Sequence, residues 1–415
     1  MNKKLLLLVS LLLTACLAAG CAYLPVEGLT SIAGGTQAQV QPSDDGSTVT
    51  LTREQYERYQ QFDELLELID ITEAYYYQDV DLEGMLQGAA AGLLSGLGDP
   101  YTFYYTPEEF AEMWEDDEGE YGGVGIQISS SYLTGICTIS RVFENSPASE
   151  AGIHRGDILY RVGEDLYVNA YNINDAVEVM RGTPGTDVEV TFLRDGEMMT
   201  YTFTRAQITV NRVEAGMLED GIGYICLYEF AGDCAAQFET KFNDLLAKGA
   251  RGLIIDLRDN PGGWVEDARS IADLFTDEGV LCYLEYNDGS RQYYRTSNGK
   301  TELPLVILMN EFSASASEIL AGCLKDRADA TIVGVQSYGK GIVQSVIPVG
   351  KEGAGMQVTI AQYFTPNGNA VHKIGVAPDV EITLPEGDNG MYEFGDLNDV
   401  QLARALEVMR EKLAK

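Results

Sequence analysis

The chain has 415 residues, 45% hydrophobic and 22% charged, a balance that excludes a disordered, collagen-like or wholly transmembrane protein. Its 64 acidic residues against 28 Lys and Arg give a formal charge of −36, and 2 His add little positive reserve. With no basic surface to replace the counterions around phosphates, a nucleic-acid partner is excluded, and the acidity reads as a solvated, solubilising surface.

Lys3 and Lys4 precede an apolar run from Leu5 to Leu13, too short to span a membrane as a mature helix, and small residues with two cysteines follow. This resembles a bacterial lipoprotein export signal, in which the Cys after the small residues is acylated. Cys21, after Leu17-Ala18-Ala19-Gly20, is the expected lipidation site and Cys16, after Leu13-Thr14-Ala15, the alternative. The resemblance implies a signal over 1–21 and an extracytoplasmic protein held to the membrane by its lipid, or secreted if neither Cys is acylated.

Residues 22–50, rich in Gly, Ser, Thr, Gln and Pro, read as a flexible linker. A helical region is expected over 51–120. There Thr52-x-x-Gln55 has capping-box spacing, and Tyr56, Tyr59, Phe62, Leu65, Leu66 and Ile69 recur every three or four residues. A second periodic stretch, Leu82 to Leu97, stops at Gly98-Asp99-Pro100. The apolar faces predict packing within this unit and are compatible with a homodimer. The acidic run Glu108 to Glu120 reads as an exposed face, not a metal site.

From 121 to 205 the texture is β-rich, interrupted by an amphipathic helix, Ile173 to Met180, with Ile173, Val177 and Met180 on one face. From Gly223 strands alternate with helices: Tyr224 to Tyr228, Leu253 to Leu257, Leu305 to Met309 and Thr331 to Val335, with helices from Ala236, Val265 and Ala316 between them. This alternation predicts a largely parallel sheet flanked by helices over 206–385, before a C-terminal helical region, 386–415. The fold class is therefore multidomain α/β and α+β. Cys137, Cys226, Cys234, Cys282 and Cys323 form no Cys-x-x-Cys pair, so neither a zinc site nor a redox motif is expected, and no cofactor.

Four segments could carry chemistry. In Gly122-Gly123-Val124-Gly125-Ile126 the glycines free backbone amides to line a nest for a carboxylate. Asn310 to Glu318 follows an apolar strand and opens a helix, where unpaired first-turn amides would stabilise an oxyanion. The spacing does not choose among Ser313, Ser315 and Ser317. Neither His154 nor His372 is well placed as a base, but a buried lysine can serve, because desolvation favours its neutral form. Lys340, in Tyr338-Gly339-Lys340-Gly341, fits that role. Gly334 to Lys340 has the spacing of a phosphate-binding loop, but Gly341 stands where a Mg²⁺-holding hydroxyl is needed and a strand follows, so nucleotide binding is set aside. Finally, Gly252 to Gly263 reads as a strand entering a tight turn whose glycine amides could donate to an oxyanion.

Gly123-Val124-Gly125-Ile126, Ser146-Pro147-Ala148 through Gly156-Asp157-Ile158-Leu159, and Arg181-Gly182-Thr183-Pro184-Gly185 resemble a PDZ domain, with a peptide groove beside the Val177 helix. Asp256-Leu257-Arg258-Asp259-Asn260-Pro261-Gly262-Gly263, Ser313-Ala314-Ser315-Ala316-Ser317-Glu318 and Tyr338-Gly339-Lys340-Gly341-Ile342-Val343-Gln344 are similar to the core motifs of the C-terminal processing (tail-specific) peptidases. That resemblance implies a crotonase/ClpP-like protease core and a Ser-Lys dyad: Ser315 as nucleophile, Lys340 as general base and Gln344 orienting Lys340. The Ala316 amide and one of Gly262 or Gly263 would form the oxyanion hole. It also implies protein or peptide substrates with accessible C-termini, captured by the PDZ domain. The alternative is a catalytically silent peptide-binding adaptor on a degenerate protease scaffold.

Overall fold

The structure, a computed structural model, describes residues 23–24, 41–42 and 49–415 apart from 119, 131–133, 298, 300, 352, 389 and 391. Cys16 and Cys21 lie outside the described residues. Helices α1 (Arg53–Gln60), α2 (Asp63–Tyr75) and α3 (Leu82–Ser95) begin the N-terminal unit. Thr52 and Gln55 form the capping box reciprocally, at 3.2 and 2.8 Å. The single periodic stretch is in fact two helices, broken at Gln61-Phe62, and the expectation of internal packing fails. None of the three helices contains a buried residue, and Tyr59, Leu66, Leu86 and Leu93 are exposed. Strand β1 (Phe103–Tyr105) then joins the core, and α4 (Pro107–Glu118) takes up most of the acidic run.

The next unit contains β2 (Glu120–Gly123), β3 (Ile126–Ser130), β4 (Cys137–Val142), β5 (Ile158–Val162), β6 (Leu166–Tyr167), α5 (Ile173–Met180), β7 (Asp187–Arg194) and β8 (Glu197–Thr204). Its sheet is antiparallel, in the order β8-β7-β5-β4-β3 with β6 on β5, so β3 is an end strand. Ala176 and Met180 of α5 are buried among Ile126, Ile139, Leu159, Val190 and Phe192. The exit strand β9 (Ala206–Thr209) runs back along β2, setting Ala206 opposite Gly123.

The core adds β10 (Val213–Met217), β11 (Ile222–Leu227), α6 (Cys234–Ala247), β12 (Gly252–Asp256), α7 (Val265–Asp273), β13 (Gly279–Tyr286), β14 (Arg291–Thr296) and β15 (Leu305–Met309). It continues with α8 (Ala316–Arg327), β16 (Thr331–Gly334), β17 (Ile342–Val349), β18 (Ala354–Phe364), β19 (Val380–Glu381) and α9 (Val400–Leu413). The central sheet has the order β10-β11-β12-β15-β16-β19, parallel from β11 onward, with Ile255 opposite both Ile225 and Ile307. Its strands are apolar on both faces because both are covered. Ile225, Leu253, Ile255, Ile307 and Ile332 face α6, α7 and α8, whereas Tyr224, Ile254, Val306 and Leu308 face α9. A second sheet has the order Tyr23–Leu24, β17, β18, β13, β14 and receives β1 alongside β18, with Tyr105 opposite Gly355; Tyr23 and Leu24 lie parallel to Gln344 and Ser345, so these two residues of the expected flexible linker are instead strand-paired to the core.

A buried ionic cluster joins α9 to the end of β12. The Arg258 guanidinium lies 2.6 Å from Asp256 and 2.7 Å from Asp399, which also caps α9 through the Gln401 and Leu402 amides. Burial works against the charge on Arg258, but the carboxylates prevail and hold its pKa well above the usual value. Replacing Arg258 with Met leaves two buried carboxylates without their cation. Urea unfolding is expected to show a loss of about 3–5 kcal/mol.

Candidate active site

Three loops meet where the two sheets approach each other. The first leaves β12 as Leu257 to Gly263, the second leaves β15 as Asn310 to Ser315, and the third, Val335 to Gly341, connects β16 to β17. The first two are sewn together by backbone and side-chain bonds: Ala314 N–H to Asn260 O at 3.0 Å, and Asp259 N–H to Asn310 Oδ1 at 2.9 Å.

The structure separates the three serines that spacing left equivalent. Ser313 Oγ donates to Leu257 O at 2.7 Å and Ser317 Oγ to Asn260 O at 3.0 Å, so both are ties between loops. Ser315 is fully buried, and its Oγ has no hydrogen-bond partner among the described residues. Its backbone sits at φ 57°, ψ −115°, a sparsely populated conformation for any residue with a Cβ, at the very start of α8. An unpaired buried hydroxyl on strained backbone is costly for packing and useful for chemistry.

Two amides of the serine and glycine turns are not engaged. The Ala316 N–H and the Gly263 N–H have no acceptor among the described residues, while the Gly262 N–H donates to Asn260 Oδ1 at 2.9 Å. Gly262, at φ 106°, lies so close to the Ser315 turn that a Cβ there would fall 2.7 Å from Ser315 Cβ and 2.8 Å from the Ala316 nitrogen. Of the two candidate glycines, Gly263 therefore has its amide available in this arrangement.

Lys340 is 2% exposed, and its Nζ lies 4.7 Å from the centroid of the Tyr101 ring. The turn carrying it passes tightly under another segment: a Cβ on Gly341 would fall 2.0 Å from the His372 nitrogen. His372 thus stands beside the lysine turn through its backbone. Burial lowers its pKa, and its Nδ1 has no partner among the described residues. Gln344, on β17, is fully buried; its Nε2 donates to Thr359 Oγ1 at 3.1 Å, and its Oε1 accepts nothing among the described residues.

One functional residue escaped the sequence reading. Glu318, fully buried in the first turn of α8, receives the Ser315 N–H at 2.9 Å and the Lys340 N–H at 3.0 Å on Oε2. Its Oε1 receives Ser337 Oγ at 2.5 Å and the Gly339 N–H at 2.8 Å. Tyr363 OH lies 3.4 Å from the same carboxylate and 3.1 Å from Ser315 O. Burial raises the Glu318 pKa, and the hydrogen bonds pull it back. The signal was in the sequence, since Ser315-x-x-Glu318 has capping-box spacing.

The residues expected to bind peptide lie elsewhere, on the antiparallel unit. Val124 is buried and its carbonyl accepts the Ala148 N–H at 2.9 Å, Gly125 turns at φ 85°, Ile126 opens β3, and Val177 packs from α5 against the same core. Gly123 is strand-paired opposite Ala206. The unit meets the core near the first loop, where Arg155 approaches Asp259 at 3.8 Å. Arg141 stacks on Tyr228 at 3.6 Å. Among the described residues no His, Cys, Asp and Glu group could hold a metal ion.

The profile of peptidase family S41 matches residues 221–382, and that of the "Activating protease CtpB N-terminal domain" matches 16–109. The carboxy-terminal-processing protease of Bartonella bacilliformis is 32% identical over 354 residues, 83% of this chain and 80% of that protein. The carboxyl-terminal-processing protease of Synechocystis sp. is 34% identical over 329 residues, 76% and 75% of the two chains. Among solved structures, the photosystem II D1 C-terminal processing protease is similar at 27% identity and a TM-score of 0.54, covering 85% of this chain and 97% of that one.

Three stability measurements check the site's construction. Ser315→Gly relieves backbone strain and removes an unpaired hydroxyl, and is expected to raise the unfolding free energy by about 1 kcal/mol. Ser313→Ala, which breaks a tie, should lower it by a similar amount. Glu318→Gln places an NH₂ among groups that are themselves donors. Denaturant titration is expected to show a loss of about 2–4 kcal/mol.

Proposed function

Because the chain belongs to the carboxy-terminal processing proteases of peptidase family S41, we propose that it is an exported serine endopeptidase in which Ser315 is the nucleophile and Lys340 its general base. The observation that carries this reading is the contrast among the serines: Ser313 and Ser317 spend their hydroxyls on neighbouring carbonyls, and Ser315, between them, holds its own in reserve.

In the reaction, Ser315 Oγ attacks a peptide carbonyl while neutral Lys340 takes its proton. The developing oxyanion sits against the Ala316 and Gly263 amides at the start of α8, where first-turn donors have no intrahelical acceptor. Collapse expels the amine, which leaves with the proton from Lys340, and the same lysine then deprotonates the water that hydrolyses the acyl-enzyme. Gln344 Oε1, a buried acceptor without a partner among the described residues, fits the role of holding the lysine ammonium in line.

The antiparallel unit acts as a PDZ domain. Among the described residues β3 pairs on one side only, with β4, so a substrate C-terminus adds along its other edge, beside α5, with its carboxylate at the Gly123 to Ile126 turn. The N-terminal signal delivers the protein across the membrane, where Cys21 or Cys16 anchors it by a lipid. No helix of the described residues is long and apolar enough to cross a membrane.

The experiment incubates the protein lacking its export signal with an unstructured polypeptide bearing a free or an amidated C-terminus. Ser315→Ala and Lys340→Ala are each expected to lower kcat at least about a thousandfold. Amidation is expected to lower kcat/KM on the unmodified enzyme. Undiminished cleavage by Ser315→Ala would place the nucleophile elsewhere, and binding without cleavage by the unmodified protein would favour a peptide-binding adaptor.

A further inference from the structure

The lysine and serine of the proposed dyad are not joined in this structure. Ser315 Oγ and Gln344 Oε1, the two groups between which a catalytic lysine would sit, are fully buried and lack hydrogen-bond partners among the described residues. The Lys340 Nζ is found instead 4.7 Å from the centroid of the Tyr101 ring, inside the range over which an aromatic face attracts an ammonium.

Tyr101 is held firmly in that position. Its N–H bonds Asp99 Oδ1 at 3.0 Å, its carbonyl accepts Gln357 Nε2 at 3.0 Å, and its hydroxyl lies 3.3 Å from that of Tyr338, two residues before the lysine. The adjoining Thr102 Oγ1 donates to Asp99 Oδ2 at 2.7 Å and accepts the Thr359 N–H at 3.0 Å, while Thr359 Oγ1 accepts Gln344 Nε2 at 3.1 Å. The short segment from Asp99 to Thr102 therefore reaches the lysine through an aromatic face and the glutamine through one threonine. It belongs to neither the antiparallel unit nor the central sheet, but to the stretch between α3 and β1.

We propose that Tyr101 is a positioning residue that holds the Lys340 ammonium away from Ser315 and Gln344, so that leaving the ring face precedes catalysis. The inference rests on reading Ser315 and Lys340 as the dyad. Its physical basis is that an aromatic face attracts a cation and gains little from the neutral amine that a general base must be. The contact thus favours the off-line placement of the lysine over the in-line one.

The test measures phosphonylation of Ser315 in the full-length protein by a fluorophosphonate, which transfers its phosphonyl group to the serine oxygen with loss of fluoride, the hydroxyl proton passing to Lys340, and bypasses peptide capture. Tyr101→Leu keeps apolar bulk and removes the ring, whereas Tyr101→Phe keeps the ring and removes the hydroxyl. Phosphonylation is expected to be about fivefold faster or more in the Leu variant and unchanged in the Phe variant. Tyr101→Met, equally ringless, carries the same expectation and guards against a folding defect peculiar to Leu. Unchanged or slower phosphonylation in both ringless variants overturns the proposal. So does equal acceleration in the Phe variant, which would assign the effect to the Tyr338 contact. If the unmodified protein is not labelled at Ser315, or Lys340→Ala labels just as fast, the dyad reading itself fails and the proposal falls with it.

Discussion

The site depends on one carboxylate. Glu318 stands in the first turn of α8, yet the groups it accepts from lie on both sides of the chemistry: the Ser315 amide on one loop, and Ser337 Oγ, Gly339 N–H and Lys340 N–H on another. Neither loop is positioned by regular secondary structure at these points. The Tyr338 N–H also donates to Ser313 O at 3.0 Å, so the two loops share one backbone bond and, in Glu318, one buried acceptor. Burying a carboxylate is unfavourable unless its oxygens are satisfied, so the same bonds that offset its desolvation also fix the Ser315 backbone against the backbone of the lysine turn.

The layered core supplies what Glu318 needs to work against. The central parallel sheet, covered on both faces, presents its strand ends at one edge, where β12 and β15 deliver the glycine turn and the serine turn side by side. The second sheet brings Tyr363 up to the same carboxylate and carries Gln344 next to the lysine turn. Arg258 secures the base of the glycine turn from below, through Asp256 and Asp399. Rigid strands thus hold the loops at their ends, and a few buried polar contacts hold them at their tips.

Much of this was legible in the sequence. The runs at Tyr224, Leu253, Leu305 and Thr331 are too apolar for a half-exposed sheet, and their alternation with helical segments pointed to parallel pairing, as β11, β12, β15 and β16 display. The hairpin of β13 and β14 was not read, because its polar, tyrosine-rich return strand Arg291–Thr296 carries no clear apolar period. The N-terminal helices were legible as helices and misread as packed, since periodicity reports an apolar face without saying what covers it. Within the site, local spacing marked a serine turn and a lysine turn, but the choice of Ser315 over its neighbours comes from contacts to Leu257 and Asn260, more than fifty residues away in the chain. Tyr101 on Lys340 is equally non-local, and no pattern within either segment encodes it.

The placement of α9 makes a late helix part of the core. Its face of Leu402, Ala405, Leu406 and Met409 is the cover of one whole side of the central sheet, and it fits so closely that a Cβ on Gly252 would fall 2.4 Å from Met409 Sδ. The helix runs to Leu413. Peeling it off the sheet would bare Tyr224, Ile254, Val306 and Leu308 to water, so α9 is a wall of the core and a truncation that reaches it would be felt as unfolding and not as the loss of an appendage.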